Sequence, residues 1–192
     1  SEVIGAIRLS LMAALAATGI CTLLGVPLGW LLARRQFQGK AILLALIDLP
    51  VVIPHPAAGL ALLLVIGRKS PVFSFLGGLS GSFAGIAIAM SFVSVPYLVS
   101  AARSGFLAVP ERAEKVARSL GASPWRVFMT VSLPLAWRDI LSGAILMWAR
   151  GISEFGAVII IAYHPMTASV MIFQRFNDYG LEYARSVAVL LI

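Results

Sequence analysis

Residues 109–134 read VPERAEKVARSLGASPWRVFMTVSLP, the longest block of the chain without an apolar run of membrane length. Its signals predict two short helices joined by a tight break. Pro110 suits a first-turn position. Glu111 and Glu114 lie at the positive end of the helix dipole, with Lys115 and Arg118 at the negative end and Gly121 as a stop. Ser123 caps a second start, Pro124 lies just inside it, and Pro134 forbids continuation. Ala113, Val116, Ala117 and Leu120 recur at spacings of three and four, which predicts one narrow apolar face of mostly small side chains. Trp125, Phe128, Met129 and Ser132 fall on one side of the second helix. The product is a compact knob with an apolar side and a basic rim, a shape that another protein can grip. The same basic break also has the form of a DNA-binding helix-turn-helix, with Lys115, Arg118 and Arg126 facing phosphates.

The flanks decide between these. The chain has 192 residues, is 60% apolar and only 12% charged, too greasy for a soluble domain and consistent with a membrane protein. A net charge of +7 fits cytoplasmic loops of a membrane protein as well as it fits a nucleic-acid binder. Cys21 is the only cysteine and lies in an apolar run, so no intrachain disulfide can form. A helix-turn-helix tethered within a few residues of two spans would bring the bilayer onto DNA before reaching a major groove. A protein partner at the membrane surface is the better reading, with no nucleic acid and with lipid around the spans.

Leu9–Ala33 is an apolar run of about 25 residues, enough to cross a hydrocarbon core. Gly19, Gly25 and Gly29 offer small surfaces for close helix packing, and Pro27 is a kink site. After a basic loop with Arg34, Arg35, Phe37 and Lys40, the run from Ala41 to Gly67 carries Asp48, Pro50, Pro54, His55 and Pro56. Three prolines so close together exclude a regular helix. Broken backbone at membrane depth belongs inside a bundle or beside a watery cavity. Arg68–Gly81 reads as a loop, and Ser82 to about Ala101 as a third span kinked at Pro96. A fourth span, Leu135–Ala162, carries Arg150 and Glu154. His164–Gly180 is a polar outer segment, and Leu181–Ile192 opens a fifth span that stops short. The chain does not begin with Met, and both ends are expected to be cropped. One transmembrane domain of about five spans is expected over residues 1–192.

Positive charge sets the topology. Arg34, Arg35, Lys40, Arg103, Arg112, Lys115, Arg118, Arg126 and Arg138 fall on one side if the spans alternate, against Arg8, Arg68, Lys69, Arg175 and Arg185 on the other. The excess predicts that residues 109–134 are cytoplasmic.

The knob resembles the cytoplasmic loop of permease subunits of ATP-binding-cassette importers. That family's signature is Glu-Ala-Ala, three residues, Gly, nine residues, then an aliphatic residue, any residue, Leu-Pro. Ala117, Gly121, Val131, Leu133 and Pro134 match it. The Glu position holds Lys115, with Glu114 just before it, and the first Ala is Val116. DLPVVIPHPAAGLALL (48–63), ARGISEFGAVIIIAYHPM (149–166) and QRFNDYGL (174–181) look like the molybdate/tungstate branch, whose relatives include sulfate permeases. The resemblance covers essentially the whole chain.

It implies an all-α type I importer permease with a six-span core, so one span is expected before Ser1. It also implies a homodimer, an ATPase subunit gripping the cytoplasmic loop, and an external oxyanion-binding protein. Arg112, Ala113, Glu114, Lys115, Ala117, Arg118, Gly121, Ser123, Trp125, Leu133 and Pro134 are the coupling candidates. Ala113, Ala117 and Gly121 would permit close approach, while Arg112, Arg118 and Arg126 would pair with acidic groups. Asp48, Pro50, Pro54, His55, Arg150 and Glu154 are candidates for the translocation path or gate. Arg150 and Glu154, four apart, can neutralise each other as a structural ion pair. A gating or helix-orienting role suits Glu154 better than contact with an anion. For His55, packing against a carbonyl competes with a role on the path. Gln174, Arg175, Asn177 and Tyr179 form a candidate docking surface for the binding protein. No metalloprotease motif and no phosphate-binding loop occur, so a membrane enzyme is disfavoured. ATP and Mg are expected on the partner, with no cofactor on this chain.

Overall fold

The computed structural model describes residues 2–67 and 78–191; most of the Arg68–Gly81 loop, including Arg68 and Lys69, lies outside them. Among the described residues all regular structure is helical: α1 Glu2–Arg34, α2 Lys40–Val52, α3 His55–Ile66, α4 Phe83–Ala108, α5 Glu111–Ser119, α6 Pro124–Val127, a π-helical turn over Phe128–Ser132, α7 Leu133–Ile152, α8 Gly156–Ile161, α9 Ala168–Tyr179 and α10 Leu181–Leu191. α1 packs along α4, α4 along α7, and α3 against α8.

Small residues dominate the buried face of α1, and its outer face is greasy. α1 buries Ala13, Ala14, Ala17 and Gly25, while Leu15, Ile20, Leu23 and Leu24 point outward, 58%, 59%, 75% and 67% exposed. That inversion of a soluble helix is what lipid selects, because tails solvate leucine and association rests on close packing. Gly29 lies against Ala102, where an added Cβ would come within 2.9 Å, and Gly143 lies against Ala101. Gly25 also meets α4, whereas Gly19, expected to pack in the same way, meets nothing within 4 Å.

α1 and α4 are each long and apolar enough to cross a membrane. α2 and α3 join them only as a bent pair, turning by 116° at the break. The predicted irregular backbone is therefore present and falls at Ile53–Pro54, where neither residue is helical. The expected fourth span is broken: α7 ends at Ile152 and α8 restarts at Gly156. The segment expected to open a fifth span is the eleven-residue α10.

Pro134 does not end a helix, contrary to the sequence expectation. Helix runs from Pro124 through the π turn into α7 and on to Ile152. The Leu133 amide donates to Phe128 O, five residues back. That wider turn gives the Pro134 ring room, and Pro134 falls at the second residue of α7.

Candidate functional site

The break in the knob is built as Gly121 and Ser123 predict, whereas Pro110, expected in the first turn, stands just outside α5 as its N-cap. α5 ends in a left-handed Gly121, φ 86°. Gly121 N–H donates to Arg118 O and Ala122 N–H to Ala117 O, at 2.9 and 3.1 Å, the paired bonds of a glycine-terminated helix. The Ser123 hydroxyl accepts from Arg126 N–H at 3.3 Å and caps α6.

The rotation of α5 differs from the apolar-face expectation. Val116 and Leu120 are 52% and 84% exposed, while Glu114 is 4% exposed. Its carboxylate accepts from Arg34 Nε at 3.0 Å on both oxygens and from Ser132 Oγ at 2.7 Å. Arg34 also donates to Val109 O at 2.9 Å. One carboxylate thus ties α5 to the last turn of α1 and to the π turn, with Arg34 reaching the end of α4. A buried pair with its lone pairs satisfied outweighs two exposed aliphatic side chains in setting which face turns inward. Ala113 and Ala117 are half-buried beside it. Lys115, at the signature's Glu position, points outward and holds Glu111 at 3.1 Å; the hydrogen bond and charge of its ammonium keep the Glu111 carboxyl below the usual carboxylate range.

On the second helix, Phe128 and Ser132 are buried while Trp125 and Met129 are 65% and 44% exposed, so the predicted shared side is split. Trp125 stacks on Phe128, ring centroids 5.3 Å apart, and Trp30 meets Phe128 edge-on at 5.3 Å. Arg112, Arg118 and Arg126 are exposed. Leu133 and Pro134 open α7 and belong to the rod rather than to the tip of the knob.

The second cluster joins two helix breaks. His55, first residue of α3, has Nε2 2.6 Å from Arg150 Nη2. Arg150 Nη2 lies 2.9 Å from Glu154 Oε2, and Glu154 Oε1 accepts from Ala157 N–H at 2.8 Å, capping α8. Because arginine only donates, His55 Nε2 is the acceptor in this contact. Glu154 is 1% exposed and sits in the break rather than on α7 itself. The pairing of Arg150 with Glu154 is present as expected, and the partner of His55 is a guanidinium rather than a carbonyl. Glycines bring the elements together: a Cβ on Gly156 would come within 2.8 Å of His55 Cβ, and one on Gly59 within 2.8 Å of Ala157. Pro50 is buried within α2 and Pro54 caps α3. Asp48 is exposed on α2 and makes no ion pair among the described residues, so it stands apart from the cluster.

In the outer segment, α9 packs on α1, with Val170 and Met171 inward and Asn177 and Tyr179 exposed. Ala168 N–H donates to Ser10 Oγ at 2.8 Å. Gln174 and Arg175 are half-buried.

Sequence reasoning missed Arg34 and Ser132 as partners of Glu114. Glu114 and Arg34 are 80 positions apart, and no local pattern reports such a pair.

The profile of the family described as binding-protein-dependent transport system inner membrane component matches residues 25–192. A molybdate/tungstate transport system permease protein of Thermococcus kodakarensis is 50% identical over 190 residues, 99% of this chain and 73% of that protein. One of the same description from Methanocaldococcus jannaschii is 42% identical, covering 100% and 77%. A probable sulfate transport system permease protein of Zygnema circumcarinatum is 35% identical, covering 99% and 69%.

Proposed function

This chain belongs to the binding-protein-dependent transport inner membrane family, and from that premise we propose that it is the permease of an ATP-driven importer of molybdate or tungstate, forming the translocation path and coupled through residues 109–134 to a separate ATPase subunit. Identity supports the anion: relatives described as molybdate/tungstate permeases reach 50%, against 35% and 37% for two described as probable sulfate permeases. A sulfate importer of the same family is the second reading. ATP and Mg bind the ATPase subunit, an external oxyanion-binding protein delivers the anion, and two copies of this chain enclose the path.

The observation that carries the mechanism is the unbroken helical run from Pro124 to Ile152. At about 1.5 Å per residue it is a rod of roughly 40 Å, with the knob at one end and the His55, Arg150, Glu154 cluster at the other. Exposed Val116 and Leu120, flanked by Arg112 and Arg126, present an apolar tip with a basic rim on the cytoplasmic side. An ATPase groove that seats this tip carries it rigidly when the nucleotide-binding subunits close. Glu114 and Arg34 prevent the knob from swivelling without the rod. At the far end the displacement bears on the α7–α8 break. There Glu154 orients α8 and Arg150 reaches across to α3, so the two broken elements move together and the path opens or closes between them.

Uptake by the transporter reconstituted in vesicles with its ATPase and binding protein tests this. ATP-dependent accumulation of molybdate and tungstate is expected, with sulfate transported at least about tenfold more slowly, a difference of ~1.4 kcal/mol. Ala117→Arg, which pushes α5 off its seat, is expected to abolish coupling between hydrolysis and uptake. Sulfate uptake equal to or above molybdate uptake establishes the second reading, and full coupling in Ala117→Arg removes the knob from the mechanism.

A further inference from the structure

Where the knob meets α1, two hollows share one wall. The first is an apolar cavity of about 420 Å³ between Pro27, Leu28 and Leu31 of α1 and Pro124, Trp125 and Phe128 of the knob, with Trp30 completing it. The second is a polar cleft of about 160 Å³ that Trp30 also lines, bounded by Arg34, Arg35, Glu111, Glu114, Lys115 and Arg118. The charges in the cleft do not cancel. Arg34 is held by Glu114 and Lys115 by Glu111, which leaves Arg35 and Arg118 with no ion-pair partner among the described residues. A greasy compartment therefore adjoins a compartment with two guanidinium groups that no carboxylate among the described residues neutralises. Arg118, expected from the sequence to meet the ATPase, is assigned to this cleft, leaving Arg112 and Arg126 for the rim that faces the ATPase.

We propose that this paired cavity and cleft bind one anionic membrane phospholipid, an acyl chain lying in the apolar cavity and the phosphate held by Arg35 and Arg118. Three features select that occupant. Pro27 lies seven residues before the end of α1, about 10 Å along the helix axis, so the apolar cavity reaches below the plane of the helix end, at acyl depth. A protein docked on the knob from outside the bilayer does not extend to that depth, and a free inorganic anion leaves the apolar part unfilled. Guanidinium groups bind phosphate through paired, charge-assisted hydrogen bonds, and cationic clusters at a membrane face draw acidic lipids. The site joins α1 to α6, so lipid held there braces the base of the rod.

Native mass spectrometry of the full-length permease in its assembled transporter tests this, after exchange into equal amounts of phosphatidylglycerol and phosphatidylcholine. One phosphatidylglycerol per permease is expected to survive in preference to phosphatidylcholine. Arg35→Gln, which removes a head-group contact, and Leu31→Trp, which fills the apolar cavity from an outward-facing position, are each expected to cut retention about tenfold, the effect of losing one charge-assisted bond or its equivalent. Arg185→Gln, removing the same charge from α10, is expected to leave retention unchanged. Both site variants assembling normally and keeping phosphatidylglycerol at the wild-type level overturns the proposal. So does equal retention of the two lipids, or an equal loss in Arg185→Gln.

Discussion

Glu114→Ala is expected to lower the stability of the permease by about 3–5 kcal/mol, the loss that follows when one partner of a buried ion pair is removed and the other stays. Arg34 would keep its charge at a site 11% exposed with no carboxylate to meet it, and Ser132 Oγ would lose its acceptor. Arg34→Ala is expected to cost about as much, and the double variant clearly less than the sum, because the pair acts as a unit. Glu114→Gln keeps an oxygen for Ser132 and falls between. Thermal unfolding in detergent, followed through tryptophan emission, is the measurement. Trp30 and Trp125 both touch Phe128 and report on this corner. The account further expects protease cutting within residues 109–134 to rise in Glu114→Ala before the bundle melts, since the knob is what this carboxylate holds.

The second large effect is at the other end of the rod. Glu154→Ala removes both the counter-ion of Arg150 and the acceptor for Ala157 N–H. Transport is expected to fall about a hundredfold, the factor that ~3 kcal/mol represents, while assembly with the ATPase subunit is retained. Glu154→Gln keeps an acceptor for the α8 cap and is expected to fall less. The informative variant is the pair Arg150→Met with Glu154→Met. Replacing a buried ion pair by apolar groups of similar size is often neutral for stability, so the fold is expected to recover while uptake stays low. Recovery of uptake along with stability would make the cluster structural only.

How much of this was legible depended on the range of each interaction. Signals that act over one turn were readable: Gly121 as a stop, Ser123 as a cap, the break among Pro50, Pro54 and Pro56. So was the membrane class, because composition sums over the whole chain. Pro134 misled, since a proline ends a helix only if the preceding turn cannot widen, and the π turn over Phe128–Ser132 does widen. The orientation of α5 misled too. Periodicity counted Val116 and Leu120 as an inner face, but Arg34 of a distant helix decides which side turns in. Grouping His55 with Arg150 and Glu154 as path candidates anticipated their company, whereas their geometry depends on Gly59 and Gly156 letting α3 and α8 touch. Asp48, chosen for the same reason as His55, lies on the far side of the bend.

The central claim is that the knob is the handle through which a separate ATPase moves the helical gate. Leu120, 84% exposed at the end of α5, is the position to probe, in a Cys21→Ala background with Leu120→Cys carrying a short bifunctional crosslinker in the assembled transporter. A crosslink to the ATPase subunit, strengthened or weakened by ATP, is the predicted result. A crosslink to the external binding protein, or none to the ATPase subunit in a transporter that still imports, contradicts it.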